Sequence, residues 1–337
     1  MPKYAVMLRL SLFLLSLFSV RFVNAQTIEL LSSGSKASLR GLSVVDDQII
    51  WASGSAGTVL KSIDGGMSWK KIAVTGFEKT DFRDIEAFDE NNAVIMGIDS
   101  PGVILKTNDG GQEWKLVYRN DTKGIFLDAM EFLSPTKAVV IGDPIGGQFF
   151  MAVSEDGGEH WREENQINRP IADTGEACFA SSGTNIRRLS GNSYVFISGG
   201  LHSKMFNKNK SYKLPIIQGM ESTGANSIAV KNKKCLLIVG GDFNQKDSAN
   251  QNCFFTIDGG KKWKSPLIGP GGYRSCVEYL GKEHWITCGL NGVDWTIDGG
   301  NTFVPISKTG FHVCRKAKKG NAVYFAGGNG KIGKFIN

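Results

Sequence analysis

Arginines and carboxylates recur through this chain at matching places in short β-rich runs. Aligning the first run of each unit on one column gives Arg40, Arg83, Leu127, Glu176, Asn226, Arg274 and His312. The next column gives Gly41, Asp84, Asp128, Ala177, Ser227, Ser275 and Val313, and the one after it turns apolar, with Leu42, Ile85, Ala129, Cys178, Ile228, Cys276 and Cys314. A second set of polar residues follows glycines at the ends of the second runs: Asp99, Asp143, His202, Asp242, Asn291 and Asn329. Three guanidiniums gathered at one point would clamp a carboxylate, because the planar Arg fork matches it bidentately. The carboxyls Asp84, Asp128, Asp143, Glu176 and Asp242 would supply the acid and the second carboxylate that glycoside cleavage needs. The same ring also has a simpler reading, a network of opposite charges that neutralises itself and caps a channel.

What positions these residues is a repeat. Five segments align directly: Ser62-Ile-Asp-Gly-Gly-Met-Ser-Trp69, Thr107-Asn-Asp-Gly-Gly-Gln-Glu-Trp114, Ser154-Glu-Asp-Gly-Gly-Glu-His-Trp161, Thr256-Ile-Asp-Gly-Gly-Lys-Lys-Trp263 and Thr296-Ile-Asp-Gly-Gly-Asn-Thr-Phe303. Their aspartates are Asp64, Asp109, Asp156, Asp258 and Asp298. The widest gap, between Asp156 and Asp258, is about two periods, so one copy has lost the motif, near Phe206-Asn-Lys-Asn-Lys210. An Asp carboxylate accepts backbone N–H groups across its own turn, and glycine supplies positive φ without steric cost. These residues are read as structural. Within a unit the runs Phe82–Phe88, Ala93–Gly97, Gly102–Lys106 and Trp114–Val117 are separated by turn residues. Four strands in a period of roughly 40–50 residues describe a propeller blade. First strands fall near Leu39, Phe82, Phe126, Glu176, Asn226, Arg274 and His312, which predicts an all-β, seven-bladed propeller of four-stranded antiparallel blades. Six blades is the alternative, should the eroded fourth repeat be an insertion. The last repeat has room for three strands, and Thr27-Ile-Glu-Leu-Leu31 is a spare strand predicted to complete it and close the ring.

The Ser/Thr-x-Asp-Gly-Gly-x-x-Trp turns resemble the Asp-box of neuraminidase-type (BNR) repeats, which sialidases and sortilin-type receptors share. With its seven repeats, the chain from Gln26 onward is similar to the photosystem II stability/assembly-factor-like propellers. That resemblance implies a non-catalytic binding or assembly role, with a protein partner or an acidic glycan held by its carboxylates at the channel mouth. The other implied reading is a sialidase-like glycoside hydrolase. Against it, sialidase domains have six blades, their Arg-Ile-Pro motif is missing here (Asn168-Arg-Pro170 does not match), and no Tyr-Glu nucleophile pair is evident.

Composition narrows the remaining classes. Lys3 and Arg9 precede the apolar run Leu10–Val20, and Val23-Asn24-Ala25 fits a signal-peptidase site, so residues 1–25 are expected to be a secretory signal on a single propeller domain, 26–337. A secreted, periplasmic or extracellular location follows, with no second stretch long enough to span a membrane. The formal net charge of +7 falls once Lys3, Arg9 and Arg21 are removed, and no basic block with interleaved aromatics suggests nucleic acid. The six cysteines, Cys178, Cys235, Cys253, Cys276, Cys288 and Cys314, match no zinc or redox spacing and are read as buried thiols. Neither a metal nor a cofactor is expected, a redox enzyme has no motif to support it, and a monomer is expected because propellers are self-sufficient.

Overall fold

In the computed structural model, which describes residues 26–99, 101–208 and 210–336, seven antiparallel sheets form a propeller. The predicted secretory segment lies outside the described residues. Blade 1 consists of Leu39–Val44, Ile50–Gly54, Thr58–Ser62 and Lys70–Ala73. Blade 2 begins at Phe82–Ala87, blade 3 at Leu127–Phe132, blade 5 at Thr223–Val230 and blade 6 at Cys276–Gly281. Blade 7 pairs Val313–Lys316, Val323–Ala326 and Lys331–Ile336, and Thr27–Ser32 adds the outermost strand, in register from Thr27 opposite Ile336 to Ser32 opposite Lys331. The ring is therefore closed by the two ends of the described chain.

Two blades depart from the pattern. The inner strand of blade 4 is Ile186–Ser190, not a run starting at Glu176. Glu176–Ala177 instead pairs with Gly199–Gly200, which attaches to blade 5 at Gly224. Blade 5 keeps its outer edge through Phe255 and Lys264 alone, with N–H to O distances of 2.9 and 2.8 Å in the two directions. The eroded repeat forms a tight hairpin, with Asn207 opposite Lys210.

The Asp-Gly-Gly turns show why both glycines are required. Asp64 accepts from the Ser62 hydroxyl (2.8 Å) and the Ser68 amide (2.9 Å), and the Gly66 amide returns to Ser62 Oγ (2.9 Å). Hydrogen bonds from Ser68 hold the Asp64 pKa down, at about 2. Gly65 and Gly66 sit at φ +71° and +86°, and a Cβ on Gly66 would lie 2.8 Å from Leu31 of the adjacent blade. The equivalent Gly111, Gly158 and Gly260 meet Ile72, Val94 and Met205 in the same way. The second glycine is thus the seat for an apolar side chain of the preceding sheet, coupling turn chemistry to blade packing. The core is accordingly divided into clusters between neighbouring sheets; Trp51, Ile72, Phe82, Ile95 and Leu105 form the one between blades 1 and 2.

Candidate functional site

The Gly65 amide bonds to the Gln48 carbonyl, so the Asp-Gly-Gly turns share a face with the turns between first and second strands. The starts of the inner strands and the ends of the second strands converge on the other face. There a cavity of about 430 Å³ opens on the axis. Its polar walls include Arg40, Arg83, Asp143, Ser181 and His312; its apolar walls are Phe126, Phe179, Phe243, Tyr273 and Leu290.

The floor of this cup is a segment of blade 4. Residues 178–185, which precede the inner strand, cross the axis. The Ser181 hydroxyl donates to Asn226 Oδ1 (2.8 Å), Ser182 to the Ser275 carbonyl (2.8 Å) and Thr184 to Ser227 Oγ (2.6 Å). Arg315 donates to the Gly183 carbonyl at 3.2 Å, and Gly183 faces the Asp84 carboxylate so closely that a Cβ would come within 2.5 Å of its oxygens. One short segment thus touches blades 2, 5, 6 and 7, which is possible only on the axis. Below it lies a second layer of charge: Arg187 between Glu131 (3.7 Å) and Glu278 (3.3 Å), with Arg315 3.9 Å from Glu278. Burial outweighs Arg187 at Glu278 and pushes its pKa up to about 7. The self-neutralising network envisaged for the channel mouth therefore lies below the segment.

In the cup the charges are unequal in kind. Arg83 is held by Asp81 (2.9 Å) over the Phe126 ring. Arg40 forms no ion pair among the described residues; it is half-buried and reaches only the Ser181 carbonyl, at 3.4 Å. Burial lowers its pKa, and so, less strongly, does Arg83. His312 is neutral, its pKa drawn down to about 3 by burial and then by Arg40, and its Nε2 lies 3.3 Å from Ser38 Oγ. Asp143 accepts from the Cys178 amide (2.9 Å), yet burial raises its pKa to about 6. Asp128 lies fully buried, its pKa pushed well up by burial first and by Asp143 second.

Of the residues singled out from sequence, Arg40, Arg83, Asp143 and His312 line the cup. The others go elsewhere. Arg274 is buried against Asp294 (Nε to Oδ2, 2.6 Å) and Asn291, inside blade 6. Glu176 is buried with Lys204 (3.0 Å) and the Ser198 hydroxyl. Asp84 accepts from the Met130 and Ile85 amides under the axial segment, and Asn226 meets Ser181 and Tyr273. Asp242 is buried and accepts from the Asn244 amide in its own turn; Asp99 is exposed beside its bridge to Phe126; His202 is exposed and outside the cup. Of Arg40, Arg83 and Arg274, the first two line the cup and the third does not.

A bulge explains the misalignment. The inner strands slip between Leu39 and Gly41, Phe82 and Asp84, Leu127 and Ala129, and Ala225 and Ser227. The residue at each bulge, Arg40, Arg83, Asp128 or Asn226, is displaced toward the axis. In blades 3 and 6 the equivalent residues are Asp128 and Ser275, one place after the Leu127 and Arg274 aligned above. In blade 4 the equivalent is Thr184, three residues before Arg187 as Asp128 is before Glu131. The aromatic walls carry no polar signal, although Phe126, Phe243 and Tyr273 adjoin Leu127, Asp242 and Arg274.

No protein-family model matches the sequence, and no curated protein sequence matches it. Solved structures share the fold. The structure of YCF48 bound to D1 peptide superposes with a TM-score of 0.67 at 16% identity, covering 94% of this chain and 96% of that one. YCF48 from Cyanidioschyzon merolae gives 0.66 at 19% identity, over 92% and 98%. The WD40 propeller domain of Doa1 gives 0.62 at 14%, over 94% and 98%.

Proposed function

We propose that this protein is a non-catalytic binding propeller that takes a polypeptide partner by a carboxylate, at the axial cup, outside the cytoplasm. One observation carries the reading: Arg40 is a half-buried cation without an ion pair among the described residues, set in a cup that also presents the rings of Phe126, Phe179, Phe243 and Tyr273. A guanidinium already stripped of part of its water gains from a carboxylate, and the aromatic rings give area for an adjoining apolar side chain. The axial segment makes the cup blind, so it suits the end or the acidic tip of a chain better than a strand threaded through. The YCF48 structure that holds a D1 peptide gives a precedent for peptide binding on this fold. Against hydrolysis of glycosides, two carboxyls must bracket the substrate; of the five considered, Asp143 alone lines the cup.

The test is a set of short peptides ending in an apolar residue, each with a free or an amidated C-terminus, titrated by fluorescence anisotropy. Free carboxylates are expected to bind about tenfold or more tightly than the amides, and Arg40→Ala is expected to abolish the difference. Equal affinity for both forms, or an unaltered preference in Arg40→Ala, would overturn the assignment. Export is tested separately, by sequencing the N-terminus of the protein recovered from its cells: an intact Met1 would remove that part.

A further inference from the structure

Three thiols meet where the last blade closes the ring. Cys276 opens the inner strand of blade 6, Cys288 lies opposite it in antiparallel register, and Cys314 is on the inner strand of blade 7. All three are fully buried. The Cys314 and Cys276 sulfurs are 3.7 Å apart, and Cys276 Sγ lies 3.4 Å from the Cys314 carbonyl. Their neighbours include the apolar Ile286, Val293, Val313 and Phe325.

We propose that Cys276 and Cys314 form a disulfide that staples the inner strand of blade 7 to that of blade 6, leaving Cys288 as a thiol. The sulfurs, 3.7 Å apart, need to close to a bond of about 2 Å on two strands already packed side by side. The oxidant is a small disulfide such as glutathione disulfide. The Cys276 thiolate attacks one of its sulfurs and releases one glutathione thiolate; the Cys314 thiolate then attacks the Cys276 sulfur and releases the second. Two protons and two electrons leave the protein pair, and one disulfide is exchanged for another. Because the thiols are sealed in the finished fold, the exchange belongs to the stage before blade 7 docks. The bond fixes the blade that relies on a strand from the far end of the chain, and it does not depend on what the cup binds.

The test refolds the full chain in a glutathione/glutathione disulfide buffer, denatures it in guanidinium with an alkylating agent and no reductant, and maps the peptides by mass. The expected result is a linked Cys276–Cys314 peptide, with Cys178, Cys235, Cys253 and Cys288 alkylated. Reduction is expected to lower the melting temperature by roughly 5 °C. Cys288→Ser should keep both the link and the shift, and Cys314→Ser should lose both. Alkylation of all six cysteines, or a link that includes Cys288, would overturn the proposal. Should Cys314→Ser fail to fold, the wild-type peptide map alone decides.

Discussion

Arg274 provides the sharpest test of which arginines hold the fold. Both it and Asp294 are 2% exposed. The guanidinium donates to Asp294 Oδ2 from Nε (2.6 Å), and from Nη1 to the Tyr273 carbonyl (2.9 Å) and Asn291 Oδ1 (2.5 Å). Replacing Arg274 by Ala would leave Asp294 a buried anion with one long contact, the Gly271 amide at 3.4 Å. Removing one member of a buried pair costs about 3–5 kcal/mol, most of it from the charge left behind. Arg274→Ala is therefore expected to lose that amount in urea unfolding followed by tryptophan fluorescence, for which Trp285 and Trp295 of the same blade are reporters. Arg274→Met combined with Asp294→Asn removes both charges and is expected to recover more than half of the loss. Arg40→Ala, at a half-buried group without an ion pair among the described residues, is expected to stay within about 1 kcal/mol of the parent. A loss below about 1 kcal/mol for Arg274→Ala, or a double variant no better than the single one, would refute the assignment of Arg274 as a structural cation.

Three further outcomes are expected. Asp143, raised to about 6, binds a proton in the folded state that the unfolded chain releases near pH 4, so its contribution favours folding on the acid side and is lost as pH rises through 6. Asp143→Asn should reduce that slope between pH 4 and 6 in unfolding titrations, and in the parent protein carboxylate affinity should rise as pH falls through 6. Gly183→Ala places a Cβ at φ +61° and against Asp84, and should cost at least about 2 kcal/mol in the same unfolding assay; a neutral result would mean that the axial segment is not seated as described. Deleting residues 26–32 strips the six-pair register from blade 7 and bares the strand Lys331–Ile336 as an edge. The truncated protein should aggregate, as seen by light scattering, and a synthetic peptide of residues 26–34 added in trans should suppress this.

The fold was readable because its signals are local and repeated. Each Asp-Gly-Gly turn announces itself within eight residues, and the strand lacking at the C-terminal repeat matches the one left over at Thr27–Leu31. The site was harder to read because it depends on a one-residue bulge. A bulge shifts every following side chain to the other face, and neither Leu127 nor Arg274 carries a mark of it; the alignment by strand start therefore placed both one residue early. Blade 4 was misplaced for a different reason. The stretch Glu176–Phe179 has the polar-then-apolar pattern of an inner strand, but its polar residue is spent on Lys204 and its chain goes on to cross the axis. Such a crossing is set by contacts with blades 2, 5, 6 and 7, which no local pattern encodes. The aromatic cup wall is legible in the sequence, since Phe126, Phe243 and Tyr273 stand next to Leu127, Asp242 and Arg274.

The pairing of Thr27–Ser32 with Lys331–Ile336 has a consequence for how the chain folds. Its two strands are separated in sequence by all the other blades, so blade 7 is complete only when both are available. Blades 1 to 6 are built from strands near one another in sequence; blade 7 must recapture Thr27–Ser32 across the other six. The slowest event in maturation should then be the search of a long, already structured coil for its own beginning, and its rate should respond to the sequence distance between the ends more than to any blade's own stability.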